Sequence, residues 1–299
     1  MMKYRKLGKS TLEVSEVSFG CMSLGDDQRV NQDLIARAVE GGINLFDTAD
    51  VYDHGKNEEE VGKALKAVRK QILIATKVGN QWKADGRGFD WNPNKDHIIK
   101  EVENSLRRLQ TDYIDLYQLH GGTIDDPIDE TIEAFEQLKE DGKIRYYGIS
   151  SIRPNVIREY IKRSSVVSVM MQYSLLDRRP EESCFPLFQD AGIGVLVRGS
   201  IAKGLLAGKP ADEFLNYGKL DVHKAATAVH SISNENRSEM QTAVNYVLQH
   251  QVVSSAVIGI RTPEQLTEAL GAPATLPLTA HEVDYLGQIL HQNFYEQHR

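Results

Sequence analysis

The stretch that decides the fold is Gly42-Ile43-Asn44-Leu45-Phe46-Asp47-Thr48-Ala49-Asp50-Val51-Tyr52-Asp53-His54-Gly55. Its apolar residues have the length of a buried strand, and the acidic segment 56–65 that follows has the pattern of a helix. Asp47 and Tyr52 are therefore expected at the carboxyl end of a strand. In parallel α/β folds this edge is where ligands bind and chemistry takes place.

Two further apolar runs end in side chains that can exchange protons, one in Lys77 and the other in His120. Burial disfavours a charged lysine, so Lys77 needs an ionic partner, and Asp47 is the one expected. A phenol has a pKa of about 10, and a nearby ammonium would lower it by stabilising the anion. One such residue alone is more often a cap or a loop residue. Together the four predict a site where Tyr52 donates a proton to an alkoxide and His120 orients the same oxygen.

At these positions the chain resembles the aldo-keto reductase family, whose Asp, Tyr, Lys and His at four barrel-strand ends match Asp47, Tyr52, Lys77 and His120. The resemblance extends over nearly the whole chain, from Tyr4 to Leu266. It implies an NADPH-dependent reductase of aldehydes and ketones with Tyr52 as the proton donor. It also implies a (β/α)8 TIM barrel.

The length and composition favour a soluble globular protein of one domain. The 299 residues suit one barrel of about 250 residues with extensions, so residues 1–299 are expected to form a single domain. A formal net charge of -7 argues against nucleic acid as a partner, and no apolar stretch reaches the roughly 18 residues of a membrane helix. Without a signal-peptide core, a cytoplasmic location is expected. Cys21 and Cys184 are the only cysteines, and no metal site is expected.

Eight apolar runs alternate with helical patterns, and eight parallel strands close a filled barrel. The predicted strands are 17–19, 43–46, 72–76, 114–118, 146–149, 166–171, 193–197 and 256–258. Residues 4–14 predict a hairpin that plugs the amino-terminal end of the barrel. Asp126 and Pro127 predict a helix cap and a first-position proline, and Thr262 and Gln265 are spaced as a capping box.

Two connections, Val78 to Pro93 and Gly199 to Asn236, are long enough to suggest functional loops. In the family, loops at these places cover the substrate and the cofactor. The first contains Trp82 and Trp91, which either pack beneath a surface loop or form an aromatic wall for an apolar carbonyl substrate. The predicted substrate residues are Tyr52, Trp82, Trp91 and His120.

No Gly-x-Gly-x-x-Gly motif follows a strand, so a doubly wound dinucleotide domain is not supported. The family resemblance implies instead that a nicotinamide cofactor crosses the carboxyl face of the barrel. The implied contacts are Gly20, Cys21, Met22, Asp47, Ser150, Ser151, Gln172, Arg198, Gly199, Ser200, Ile201, Lys203, Gly204, Gly259, Ile260, Arg261, Gln265 and Glu268. Ser150, Ser151 and Gln172 would meet the nicotinamide amide, although polar residues at strand ends also act as simple caps.

The cofactor residues depart from the family pattern at three places. Many relatives have an aromatic ring where Arg198 stands, and its guanidinium either stacks on the nicotinamide or binds an anionic group of the substrate. Gln265 replaces a second arginine, and Ala269 replaces an asparagine that contacts adenine. Arg261 is the candidate for the ribose 2′-phosphate, which favours NADPH over NADH.

Two other functions are compatible with these residues. One is a regulatory or binding subunit that keeps the cofactor and the four residues, as some relatives do. The other is an aldolase or isomerase that forms a Schiff base on Lys77, which pairing with Asp47 disfavours because it keeps the amine charged. The sequence leaves the carbonyl substrate and the oligomeric state open, and a monomer is the family's usual state.

Overall fold

The computed structural model describes residues 1–299 and contains a closed barrel of eight parallel strands. These strands are β3 Val17–Gly20, β4 Leu45–Asp47, β5 Leu73–Val78, β8 Ile114–Leu119, β9 Ile144–Ser150, β10 Ser168–Gln172, β11 Gly194–Arg198 and β12 Val253–Gly259. Their order around the barrel is β10-β11-β12-β3-β4-β5-β8-β9. Each overlaps one predicted strand, and the predicted (β/α)8 TIM barrel is confirmed.

An amino-terminal hairpin closes the bottom of the barrel, as predicted. It consists of β1, Tyr4–Lys6, paired antiparallel with β2, Glu13–Ser15. Leu7 is buried with the inward-facing residues of the strands. Gly8 has a φ of +54°, and a Cβ there would lie 2.3 Å from the carbonyl oxygen of Val167. Only glycine allows the hairpin turn to approach the barrel this closely.

Ten α-helices surround the barrel, and a core of 65 buried residues includes the apolar faces of strands and helices. The helices are α1 Gln28–Glu40, α2 Lys56–Leu65, α3 Lys95–Leu109, α4 Ile128–Glu140, α5 Pro154–Arg163, α6 Pro180–Ala191, α7 Lys219–Ile232, α8 Glu239–Leu248, α9 Pro263–Gly271 and α10 Ala280–Gln288. None of them has the length and the apolar character needed to cross a bilayer.

Two predicted helix starts differ in detail. Pro127 is itself the cap of α4, and the Asp126 carboxylate instead accepts hydrogen bonds from Thr123, at 2.6 and 2.7 Å. At α9 only half of the capping box forms, because the side-chain oxygen of Gln265 accepts from the backbone of Arg261 at 2.8 Å and not from Thr262. In each case the side chain accepts from a donor other than the one expected.

Neither long connection is structureless. Residues 78–93 contain a second hairpin, β6 Asn80–Trp82 and β7 Phe89–Trp91, with its turn around Gly86 and Gly88 at positive φ. Residues 199–236 contain the 14-residue helix α7. The three-residue strands were too short for a period-2 pattern, and the buried face of α7 is made mostly of alanine and valine, which is a weak helical signal.

Candidate active site

The barrel brings the four predicted residues together at its carboxyl end. Asp47 ends β4, and Lys77 lies near the end of the neighbouring β5. The Lys77 Nζ donates to Asp47 Oδ2 at 2.7 Å and to the Thr48 carbonyl at 2.7 Å, and it lies 3.4 Å from Tyr52 Oη. The His120 ring, directly after β8, lies edge-on to Tyr52 with 5.9 Å between ring centroids.

Lys77 is a buried ammonium that Asp47 keeps charged. Its side chain is 1% exposed, and burial alone would lower its pKa. The negative charge of Asp47 and the hydrogen bonds to Asp47 and Tyr52 outweigh burial, so the pKa of Lys77 is raised. Since a Schiff base requires the free amine, this pairing disfavours the aldolase interpretation.

Tyr52 does not have the lowered pKa that the sequence suggested. Burial of the phenol raises its pKa, and the ammonium of Lys77 opposes only part of this effect. Asp47 adds to the increase because its negative charge offsets much of the Lys77 charge. The net pKa of Tyr52 is therefore raised, and the phenol keeps its proton at neutral pH.

His120 is a neutral imidazole. Burial and the positive charges of Lys77 and Arg198 lower its pKa to about 3. Its backbone N–H donates to the Val78 carbonyl at 2.7 Å, and its own carbonyl accepts from Asn80 at 3.0 Å, which fixes the residue against β5. The buried Nδ1 has no hydrogen-bond partner in the protein. The imidazole can therefore donate one hydrogen bond without carrying charge.

Two neighbours of these residues were missed from the sequence. Gln118 lies beside Lys77 in the sheet, and its side-chain amide is 3.5 Å from Asp47 Oδ1. Asn57 accepts from the Thr48 hydroxyl at 2.6 Å and donates to the Cys21 carbonyl at 2.8 Å. A glutamine inside an apolar strand was the available signal for Gln118, whereas nothing in the sequence marked Asn57.

Both predicted substrate tryptophans use their indole N–H groups within the protein. Trp82 donates to the Val51 carbonyl at 3.2 Å, beside Tyr52. Trp91 donates to Asp126 Oδ1 at 2.9 Å and packs against Gly79 and Gly121. Both side chains are half-buried, near Tyr52 and His120 respectively.

Two of the three residues predicted to meet the nicotinamide already have protein partners. Ser151 is buried, and its hydroxyl accepts from the backbone of Arg153 at 3.2 Å, as a strand-end cap does. Gln172 donates to Asp177 at 2.8 Å and accepts from Arg198 Nη1 at 2.9 Å. Ser150, the last residue of β9, is half-buried.

The segment predicted to bind the diphosphate follows β11 and has an unusual backbone. Gly199, Lys203 and Gly204 have φ of +74°, +59° and +92°, and Ile201 lies between them. The Ser200 hydroxyl is buried and has no hydrogen-bond partner in the protein. Since buried hydroxyls normally have a partner, this orphaned group fits a ligand with acceptor oxygens.

The residues predicted to bind the adenosine end lie where β3 and β12 are neighbours. Arg261 is exposed, and its Nε donates to the Ser23 carbonyl at 3.2 Å. A Cβ at Gly259 would lie 2.0 Å from Ser23 Oγ, so Ser23, also missed from the sequence, packs directly on that glycine. Glu268 accepts from the Ser238 hydroxyl.

Four other predicted cofactor residues differ in accessibility. Gly20, Cys21 and Ile260 are buried, and Met22 is exposed. Burial raises the pKa of the Cys21 thiol. The thiol is therefore protonated, which makes it unreactive. The described residues contain no cluster of three or more His, Cys, Asp or Glu side chains able to hold a metal ion.

A parallel barrel with a buried ammonium–carboxylate pair, a protonated phenol and a neutral imidazole at its carboxyl end is an arrangement typical of an enzyme active site. The model of the aldo/keto reductase family matches residues 16–291. The chain belongs to this family and is an oxidoreductase.

Two relatives and one solved structure show the extent of the similarity. The uncharacterized oxidoreductase YqkF of Bacillus subtilis is 48% identical over 100% of both chains. The NADH-specific methylglyoxal reductase of Escherichia coli is 34% identical over 73% of both chains. The holo form of aldo-keto reductase AKR11C1 from Bacillus halodurans is 51% identical, with a TM-score of 0.94 over 100% of both chains.

Asp47→Asn should destabilise the fold by about 3 to 5 kcal/mol, because it leaves the buried Lys77 ammonium without its counter-charge. Unfolding in urea at neutral pH measures the change. The double variant Asp47→Asn/Lys77→Met should be more stable than Asp47→Asn alone, since it also removes the charge.

The exposed pair Lys219 and Asp212, 3.1 Å apart, is the matched control, and Asp212→Asn should change stability by less than about 1 kcal/mol. If the double variant loses as much free energy of unfolding as Asp47→Asn and Lys77→Met lose together, the two buried residues are not energetically coupled.

Proposed function

We propose that the protein reduces aldehydes and ketones to alcohols with NADPH, and that Tyr52 protonates the carbonyl oxygen. The observation that carries this proposal is the contact of Lys77 with both Asp47 and the Tyr52 hydroxyl, beside a neutral His120. When bound, the nicotinamide supplies the hydride. The residues of the chain bind the carbonyl compound, orient its oxygen and supply the proton.

Tyr52 is suited to protonate a strong base late in the reaction. Its raised pKa keeps the proton on the phenol until a developing alkoxide, which is far more basic than a phenolate, can take it. The resulting phenolate would be stabilised by the Lys77 ammonium, 3.4 Å away, and Asp47 holds that ammonium in place. The proton then returns to Tyr52 from solvent before the next turnover.

His120 orients the same oxygen. As a neutral imidazole it can donate one hydrogen bond to the carbonyl, and it places no positive charge beside Lys77. Trp82 and Trp91, from the hairpin above Tyr52 and His120, are proposed to border the substrate. This arrangement suits a carbonyl compound that reaches the barrel axis from the carboxyl face.

The cofactor would lie across the strand ends from β9 to β3. The orphaned Ser200 hydroxyl and the positive-φ turn at Gly199–Gly204 support a diphosphate, and Ser150, Ser151 and Gln172 support a carboxamide. Because one relative is named an NADH-specific reductase, the family alone does not set the cofactor. The preference for NADPH rests on Arg261, whose exposed guanidinium can bind a 2′-phosphate.

Tyr52→Phe should lower kcat by at least about 10²-fold while the Kd for NADPH stays unchanged, because only the acidic proton is lost. The measurement is NADPH and NADH oxidation with a panel of aldehydes, ketones and dicarbonyls. The control is Tyr146→Phe, which removes a hydroxyl that is hydrogen-bonded to Thr11 at the opposite end of the barrel and should leave kcat unchanged.

Full turnover in Tyr52→Phe would refute the proposed proton donor. Tight NADPH binding without turnover in the unmodified protein would favour the regulatory interpretation instead. A Kd for NADPH too weak to measure would refute the cofactor assignment.

Arg261→Ala should weaken NADPH binding by roughly 10- to 100-fold and leave NADH binding unchanged, since the lost charge-assisted hydrogen bonds reach only the 2′-phosphate. Fluorescence titration with each cofactor measures both Kd values. Lys203→Ala is the control, because a diphosphate contact is common to both cofactors and both Kd values should rise together. Equal losses in Arg261→Ala would show that this arginine does not select NADPH.

Arg198→Leu should tighten NADP+ binding relative to NADPH binding, because the guanidinium repels the positive oxidised ring. Arg198→Lys, which keeps the charge but not the planar group, should retain most of this discrimination. The measurement is the ratio of the two Kd values in each variant. If Arg198→Leu instead lowers kcat/KM only for aldehydes with a carboxylate or phosphate, Arg198 binds the substrate. If neither the ratio of Kd values nor kcat/KM changes, both roles are excluded.

A further inference from the structure

The turn that carries Tyr52 has a backbone that needs external support. Asp53 and His54, the two residues after Tyr52, both lie in the left-handed region, with φ of +46° and +55°. Consecutive non-glycine residues in this region are uncommon because the Cβ approaches the backbone. Both side chains are exposed, so the core does not hold this conformation. Contacts from neighbouring elements must therefore stabilise the turn.

Trp82 contacts the turn on both sides of Tyr52. Its Nε1–H donates to the Val51 carbonyl at 3.2 Å, and its ring stacks on His54 with 3.7 Å between centroids and 19° between planes. Phe89 is directly opposite Trp82 in the hairpin, and the centroids of the two rings are 4.2 Å apart. The residues before and after the phenol are thus held by one indole, whose ring is largely covered by protein.

The opposite side of the turn is supported by Arg108. A Cβ at Gly55 would lie 2.8 Å from Arg108 Cδ, so the turn rests directly on this side chain. Arg108 is itself fixed by Glu58 and Glu101, each at 2.6 Å. The turn therefore lies between a fixed arginine in α3 and the hairpin tryptophan.

The hairpin can act as a support because both of its ends are fixed. It leaves the barrel directly after β5, the strand of Lys77, and Asn80 at its base donates to the His120 carbonyl. Trp91, on the returning strand, donates to Asp126 at 2.9 Å. The hairpin is therefore attached to the elements that carry Lys77 and His120. Through Trp82 it holds Tyr52 in a fixed position relative to both residues.

We infer that Trp82, through its hydrogen bond to Val51 and its stack on His54, is a positioning residue for Tyr52. This inference rests on the proposed proton transfer from Tyr52. In this inference His54 affects the reaction by stacking on Trp82, and it does not contact the substrate. It also differs from an aromatic wall, since a positioning residue affects the turnover of every substrate.

The kinetic test compares Trp82→Phe, which removes the N–H, and His54→Ala, which removes the stack, with the unmodified protein. The substrates are a two-carbon dicarbonyl, which offers little apolar surface to an aromatic wall, and a bulky aromatic aldehyde. We expect kcat to fall by about tenfold for both substrates in each variant, less than the roughly 10²-fold that a misplacement of 1 Å costs. The KM of the small substrate and the Kd for NADPH should change by less than about twofold.

Lys83→Ala is the matched control, because Lys83 neighbours Trp82 in the hairpin, is exposed, and pairs with Asp90 at 3.8 Å across it. It should leave kcat unchanged. Changes in Trp82→Phe confined to the KM of the bulky aldehyde would overturn the inference and favour a substrate wall. An unaltered kcat in His54→Ala would also overturn it.

A spectroscopic test does not depend on turnover. In Trp91→Phe the only tryptophan is Trp82, and the stacked His54 ring covers one face of its indole. We expect acrylamide to quench the Trp82 fluorescence more strongly in Trp91→Phe/His54→Asn than in Trp91→Phe, because loss of the ring exposes the indole. Equal quenching by acrylamide in the two variants would overturn the stack. If the unmodified protein reduces no carbonyl but the two variants differ in quenching, the proposed function fails while the contact remains.

Discussion

The buried ion pair between Lys77 and Asp47 is the constraint on which the carboxyl end of the barrel depends. An ammonium that is 1% exposed is tolerated only with a counter-charge and further acceptors, here Asp47 and the Thr48 carbonyl. Since Lys77 also pairs in the sheet with Gln118, which approaches Asp47, the pair connects β4, β5 and β8. The ion pair therefore fixes the relative positions of three strand ends.

The alternation of side chains along β5 extends this constraint to the helices. Lys77 points toward the barrel axis, whereas the preceding Thr76 points outward and donates to Glu58 of α2 at 2.6 Å. Glu58 also binds Arg108, on which the Tyr52 turn rests. A shift of one residue in the register of β5 would exchange these two faces, and both networks would be lost together. The strand, the outer helices and the Tyr52 turn are thus specified by the same register.

The sequence predicted the eight strands and the positions of the four polar residues, because buried strands are continuous apolar runs and Asp47, Lys77 and His120 interrupt or end them. It did not predict the hairpin containing Trp82, because three-residue strands have no measurable period. Contacts between distant segments, such as Ser23 with Gly259, left no pattern in either segment. The direction of the Tyr52 pKa shift could not be predicted from the sequence either. It depends on the size of the burial effect relative to the opposed effects of the Lys77 and Asp47 charges.

The balance of charges at the site follows from which carboxylates are already paired. Asp47 neutralises Lys77, and His120 is uncharged. Asp177, near Arg198, is bound by both Arg179 and Gln172, so the exposed Arg198 keeps an uncompensated charge. The site therefore carries a net positive charge within a protein of formal net charge -7. Such a local field stabilises negative charge that develops on an oxygen near Tyr52, whereas it opposes the formation of a second cation there.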